Sequence, residues 1–182
     1  MSGLVLAAGD FLLRPPRVAE APEVLELALD PDVRTWNPRC RITDLEGAVE
    51  DCVSGADWSS GTHATFSVVH GETGRYAGNI ALHGIDTVRR QASVGYRIAP
   101  WTRGRGVATA AVNALVAWAF PRYGLGRISL THAVENTASC RVAEKCGFTL
   151  RAVLPENKRF GDGELHDEHL HVIGQPLAAA LS

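Results

Sequence analysis

The sequence predicts one α/β domain built around a mixed sheet. Apolar runs of strand period and of helix period succeed one another as strand, two helices, three strands, helix, strand, helix, two strands. The 182 residues, 46% of them apolar, suffice for one core and show no repeat, linker or low-complexity tract. A basic, glycine-rich loop, Arg103-Gly104-Arg105-Gly106, stands where a strand hands over to a long apolar helix. Residues 1–10 read as a flexible lead-in, 11–175 as the domain and 176–182 as a tail.

In order, Phe11–Arg14 alternates as a short strand that Pro15-Pro16 ends. Val24, Leu25, Leu27, Ala28 and Leu29 crowd one side of a helix over Ala19–Leu29, stopped by Asp30-Pro31. Val33–Arg41 reads as irregular. Thr43 and Glu46 have capping-box spacing, so a second helix runs from there to about Ser54, before Gly55. A β meander follows. Thr65–Val69 alternates, Gly71–Gly74 is turn chemistry, Arg75–His83 is a strand with a bulge at Gly78, and Gln91–Ile98 is a third strand.

Val107, Ala110, Ala111, Ala114, Leu115, Trp118 and Ala119 then repeat at helix spacing up to Phe120. Ala108, Val112 and Val116 widen the apolar surface, so this helix should be largely buried, with Pro121 and Gly124 closing it. Ile128–Ala133 is a strand. Asn136 caps a helix over Thr137–Cys146, with Gly147 at its stop. Phe148–Leu154 is a strand, Pro155–Glu164 a polar loop and His166–Ile173 the last strand.

Eighteen basic against twenty acidic residues give a net charge of −2, which argues against nucleic-acid binding through the whole surface. No apolar run is long enough to span a bilayer, and the N-terminus lacks the basic start of a signal peptide, so no membrane partner and a cytoplasmic location are expected. Cys40, Cys52, Cys140 and Cys146 form no C-x-x-C pair and read as buried free thiols. Cys140 and Cys146 lie about 9 Å apart along one helix, too far to bridge.

The glycine loop carries the first functional signal. A helix N-terminus leaves backbone N–H groups unpaired, and its dipole favours an anion. Two glycines let the backbone approach a ligand, and two arginines add charge. Phosphate is therefore the expected occupant.

Arg103-Gly104-Arg105-Gly106-Val107-Ala108 resembles the (Gln/Arg)-x-x-Gly-x-(Gly/Ala) motif of the GNAT N-acetyltransferase superfamily. About thirty residues later, Asn136-Thr137-Ala138-Ser139 and Glu144-Lys145-Cys146-Gly147-Phe148 are similar to the second half of that signature. They take the Asn-x-x-Ser form of the RimJ/RimL-like branch, the ribosomal-protein N-terminal acetyltransferases. The resemblance covers Phe11 to Ile173. It implies a GNAT-like domain whose mixed, mostly antiparallel sheet splays open between two parallel strands, Gln91–Ile98 and Arg127–Ala133. It also implies acetyl-CoA as co-substrate, with its pantetheine arm along Ile98 and its pyrophosphate on the N–H groups of Arg103, Gly104, Arg105, Gly106, Val107 and Ala108. Asn136 would touch the CoA arm, cap the helix, or do both.

The implied reaction is direct attack of a primary amine on the thioester, in a ternary complex. A base must take the ammonium proton, an N–H donor must meet the developing oxyanion, and an acid must protonate the thiolate. The Tyr that many GNAT members use as that acid is replaced here by Ala143, and the Glu often found before the loop is replaced by Ser93. By resemblance Ser139 is the proton donor; its other use is to support the helix N-terminus. Glu156 is the candidate base, against its reading as a solvated surface carboxylate, with His132 and a water chain as alternatives.

The run His166-Asp167-Glu168-His169-Leu170-His171 fits no helical zinc motif. His169, His171 and Asp167 would share a strand face able to hold a metal, but the commoner use is a solvent-facing edge, and no metal is assigned. The acceptor, a protein N-terminus or a small amine, would meet Asp32–Arg41, Asp57–Thr62 and Pro155–Gly163, with Trp36 and Trp58 lining it or packing. The missing Glu and Tyr keep a CoA-binding sensor module as the alternative function. A nucleotide-binding protein would need a Lys-Ser/Thr after the glycines or an acidic residue on the next strand, and neither is there. The final strands are the candidate surface for a homodimer.

Overall fold

Alternating apolar residues build eight strands in the computed structural model, which describes residues 3–174. They are β1 (Leu6–Ala8), β2 (Phe11–Arg14), β3 (Ala64–His70), β4 (Tyr76–Asp86), β5 (Gln91–Ile98), β6 (Arg127–Ala133), β7 (Thr149–Arg159) and β8 (Leu165–Gly174). Together they form one sheet in the order β1-β2-β3-β4-β5-β6-β8-β7. Only β5 and β6 pair in parallel; every other neighbouring pair is antiparallel. The helices are α1 (Ala21–Leu29), α2 (Pro31–Trp36), α3 (Leu45–Ala56), α4 (Val107–Tyr123) and α5 (Thr137–Lys145). None of them is long and apolar enough to cross a membrane.

Two apolar clusters hold the layers together. The larger joins the sheet, through Phe66, Ile80, Leu82, Ile128 and Leu130, to α4 and α5. The expected breadth of the apolar surface on α4 is met: Val107, Ala111, Val112, Leu115, Val116, Ala119 and Phe120 are buried. Pro121 sits inside the last turns, and Gly124, at φ 61°, ends the helix. The smaller cluster packs α1 and α3 together against Tyr76 and Ala99.

Several local expectations need correction. Leu6–Ala8 is no loose lead-in but an edge strand, folded back on β2 with Ala8 opposite Phe11. The irregular stretch after Asp30 begins with α2, because Asp30 Oδ1 accepts from Val33 N–H (3.1 Å) and Pro31 suits a first helical position. Asp44, not Thr43, caps α3, accepting from Gly47 N–H at 2.9 Å. The bulge near Gly78 is present, as a register slip between Val68 and Val69 on β3.

The largest departure lies near the C-terminus. The first half of Pro155–Glu164 is strand: β7 continues to Arg159, slipping register between Leu154 and Lys158, and only 160–164 form the turn. β7 is the sheet edge, where proline and charge are tolerated, so its loop-like composition reflects that place. Conversely β8 is not an edge, since β6 and β7 flank it, and Glu168 and His171 are buried. The predicted tail, 176–182, lies outside the described residues.

The β7–β8 turn docks on α2. Gly161 N–H donates to the Thr35 carbonyl (3.0 Å), and a Cβ at Gly161 would overlap the Arg34 carbonyl. Gly161→Ala should therefore undock the turn and lower the unfolding free energy by about 1–3 kcal/mol. Urea denaturation measures this; an unchanged midpoint would contradict the docking.

Candidate active site

The site begins where β5 and β6 part. They pair only through Gln91–Arg127, Ala92–Ile128 and Ser93–Ser129. At that fork the Ser93 and Ser129 hydroxyls lie 2.8 Å apart, and Ser129 Oγ also lies 3.3 Å from the Ala92 carbonyl. Beyond it both strands run on without pairing to each other, and a cleft of about 910 Å³ opens. Val94–Ile98 lines one side of the cleft and Leu130–His132 the other.

One end of the cleft meets the glycine loop. Gly104 and Gly106 have φ of 76° and 79°, a conformation that only glycine adopts readily. Gly106 is the N-cap of α4, and Gly104, Gly106, Val107 and Ala108 line the cleft. A Cβ at either glycine would meet no protein atom within 4 Å, so there is room beside the helix N-terminus. The two arginines differ. The Arg103 guanidinium donates to Asp30 (2.5 Å), Asp32 (2.7 Å) and the Ile98 carbonyl (3.0 Å). It thus ties the loop to α2 and occupies an acceptor on the strand expected to hold a pantetheine arm. Arg105 is exposed and forms no ion pair among the described residues, which leaves it as the loop's available cation.

The middle of the cleft holds Asn136 and Ser139. Asn136 Oδ1 accepts from Ser139 N–H at 3.1 Å, capping α5 as expected. Tyr96 Oη donates to Ser139 Oγ at 3.2 Å. Burial pushes the Tyr96 phenol up to about 12, so it stays a donor at neutral pH. Accepting that bond leaves the Ser139 hydrogen available to a ligand. Ala143 is fully buried against the core, yet a tyrosine reaches this region from β5 instead. The signal was legible: Tyr96 alternates with Val94 and Ile98 in the cleft strand.

At the other end the structure does not bring in Glu156. It is exposed, has φ 42° at the β7 irregularity, and its N–H donates to Asp167 Oδ1 (2.9 Å). Three carboxylates line the cleft, Asp32, Asp51 and Glu168, and of these Glu168, on β8 opposite Ala133, is buried; it accepts from Asn157 Nδ2. Nothing in the sequence marked it, because its burial depends on β8 lying inside the sheet. Lys158 stands at the same end, its ammonium held below the usual range by burial and by Arg39. Arg97 is satisfied there by Asn79 (3.0 Å), Cys40 Sγ (3.1 Å) and Asp51 (3.3 Å). Trp36 lines this end and packs edge-on against Phe160 and His166. Trp58 instead packs in the core on Phe66 and Trp118.

A parallel pair that forks, followed by a left-handed glycine turn at a buried helix, defines an acetyltransferase-type cleft. Residues 10–149 match the acetyltransferase (GNAT) domain, and the chain belongs to that family of acetyl-CoA-dependent acyltransferases. YdaF of Bacillus subtilis (strain 168), provisionally named a ribosomal N-acetyltransferase, is 41% identical over 75 residues, 41% of each chain. The uncharacterized N-acetyltransferase YoaA of the same organism is 30% identical over 105 residues, 58% of this chain and 59% of YoaA. The chain thus spans 41% and 59% of these two relatives' lengths. RimL, a ribosomal L7/L12 α-N-protein acetyltransferase solved with coenzyme A, shares the fold: its TM-score is 0.84 at 18% identity, over 94% of this chain and 98% of RimL.

If the loop seats phosphates, Gly106→Val should weaken acetyl-CoA binding by more than about tenfold, since the side chain strains the turn and fills the space beside the donors. Calorimetric titration reads this directly; unchanged affinity would remove the loop from the binding site.

Proposed function

We propose that the chain transfers the acetyl group of acetyl-CoA to a primary amine by direct attack in a ternary complex. The observation that carries this reading is that the fork, the helix N-terminus and the Ser139–Tyr96 pair all face one cleft. Acetyl-CoA supplies the thioester. The N–H groups of residues 104–108 and the Arg105 charge hold its pyrophosphate, the Arg103 N–H being taken by the Pro100 carbonyl, and the unpaired edges beyond Ser93 and Ser129 receive its arm. RimL, solved with coenzyme A, supports the same co-substrate here.

Ser139 donates its hydrogen toward the leaving sulfur while Tyr96 steadies its oxygen. Glu168, rather than Glu156, takes the proton of the incoming ammonium, because it is the buried carboxylate that lines the cleft. The acceptor approaches at the end of the cleft lined by Trp36, Phe160 and Lys158. Because YdaF and RimL carry names for ribosomal-protein acetylation, a peptide N-terminus is the favoured acceptor, ahead of a small amine.

Steady-state CoA release against a panel of peptide N-termini and small amines tests the reading. Ser139→Ala and Glu168→Gln should each lower kcat by about 10²-fold, with acetyl-CoA affinity held within about twofold. Tyr96→Phe should cost less, about tenfold, since it removes only the bond to Ser139. Acetyl-CoA binding without release of CoA on any amine would instead favour a CoA-binding module.

A further inference from the structure

Four side chains outside the acyl-transfer roles meet beside the first turns of α5. His132 comes from β6, Cys140 from α5, and His169 and His171 from β8. One metal-ligating atom from each lies within 4.8 Å of all the others. The strand register brings the histidines together. His132 pairs with His169 and Leu130 with His171, so the three imidazoles leave the sheet on one face. There Cys140 Sγ lies 3.9 Å from His169 Nδ1 and 3.9 Å from His171 Nε2. The ring centroids of the three histidines are 5.2–5.7 Å apart.

Two features show that these groups are not simply packed. His132 Nδ1 lies 2.7 Å from the Ala133 carbonyl, an acceptor, so Nδ1 carries the hydrogen and Nε2 the lone pair. That Nε2 is buried with no hydrogen-bond partner, as is His171 Nδ1. His132 and His171 are only 5% and 2% exposed. A ring whose far nitrogen donates to a backbone carbonyl is oriented as a metal-ligating histidine normally is.

We propose that His132, Cys140, His169 and His171 form a tetrahedral site for a divalent cation of the zinc class. Zinc bonds of about 2.0–2.1 Å to nitrogen and about 2.3 Å to sulfur set ligand atoms roughly 3.4–3.6 Å apart, so modest side-chain rotation closes the observed spacings. Three imidazoles and a thiolate select zinc over magnesium or calcium, which take oxygen ligands. Four protein ligands leave no open position, so the ion is structural. It clamps the start of α5, with Asn136 and Ser139, onto β6 and β8. The expectation of no metal weighed the cysteines, which have no C-x-x-C pair, and the His166–His171 run separately. The fold adds His132 and Cys140 and sets aside Asp167, whose Oδ1 accepts from Glu156 N–H.

The tag-free chain, incubated with zinc and dialysed, should retain one zinc per chain by elemental analysis. Cobalt in its place should give the visible absorption of a tetrahedral centre together with a thiolate-to-cobalt charge-transfer band. Cys140→Ser should abolish that band, and His169→Ala should weaken zinc by more than about 100-fold against a chromophoric chelator, with folding checked by circular dichroism. Zinc should also raise Tm, and a chelator should reverse the rise. A wild-type chain that retains no zinc above buffer and gives no cobalt–thiolate spectrum overturns the site, whether or not the variants fold. So does zinc retained equally by both variants. Metal content is read without substrate, so this result is independent of the acyl-transfer reading.

Discussion

The cleft exists because a parallel pair of strands stops pairing after three residues. Backbone N–H and C=O groups at a sheet edge seek partners, and the interior of a sheet normally supplies them. Here β5 and β6 keep their order but separate past Ser93 and Ser129, leaving two facing edges inside the molecule. The Ser93–Ser129 hydroxyl contact marks where the ladder ends. What lies beyond depends on that separation: the loop at the end of β5, the helix after it, and α5 at the end of β6 all border the gap. A ligand that is itself extended and polar, with a charged end, fits such a gap as an added strand ending at a helix N-terminus.

Much of this was legible in the chain because it rests on local chemistry. The glycine turn at 104–106, the broad apolar surface of α4 and the Asn136 cap are each written in neighbouring residues, and the structure shows all three. The β meander was equally readable, since alternation and turn residues set its register. The functional meaning of the loop needed the second motif, because a glycine-rich basic turn by itself says only that an anion fits.

What was not legible depends on which strand lies beside which. Pro155–Glu164 has the composition of a loop, yet its first half, to Arg159, is strand, since an edge strand can carry proline and charge. Its partner β8 looked like an exposed edge and lies within the sheet, which buries Glu168 and His171. The carboxylate chosen from sequence, Glu156, therefore faces solvent, and the buried one at the cleft, Glu168, came from a run that had suggested a surface. Arg103 illustrates the same limit. Its charge was readable, but its commitment to Asp30 and Asp32, about seventy residues earlier, was not. Long-range pairing decides whether a polar residue is a ligand, a tether or a surface group.

The central claim is that one continuous ligand path runs from the α4 N-terminus, along the parted strands, to Ser139. A crystal structure of the chain with coenzyme A tests it most directly. The expected result has the pyrophosphate oxygens within hydrogen-bond distance of the N–H groups of residues 104–108, the pantetheine arm between β5 and β6, and the sulfur beside Ser139 and Tyr96. Coenzyme A bound with its phosphates away from that turn, or its sulfur directed out of the fork, would contradict it.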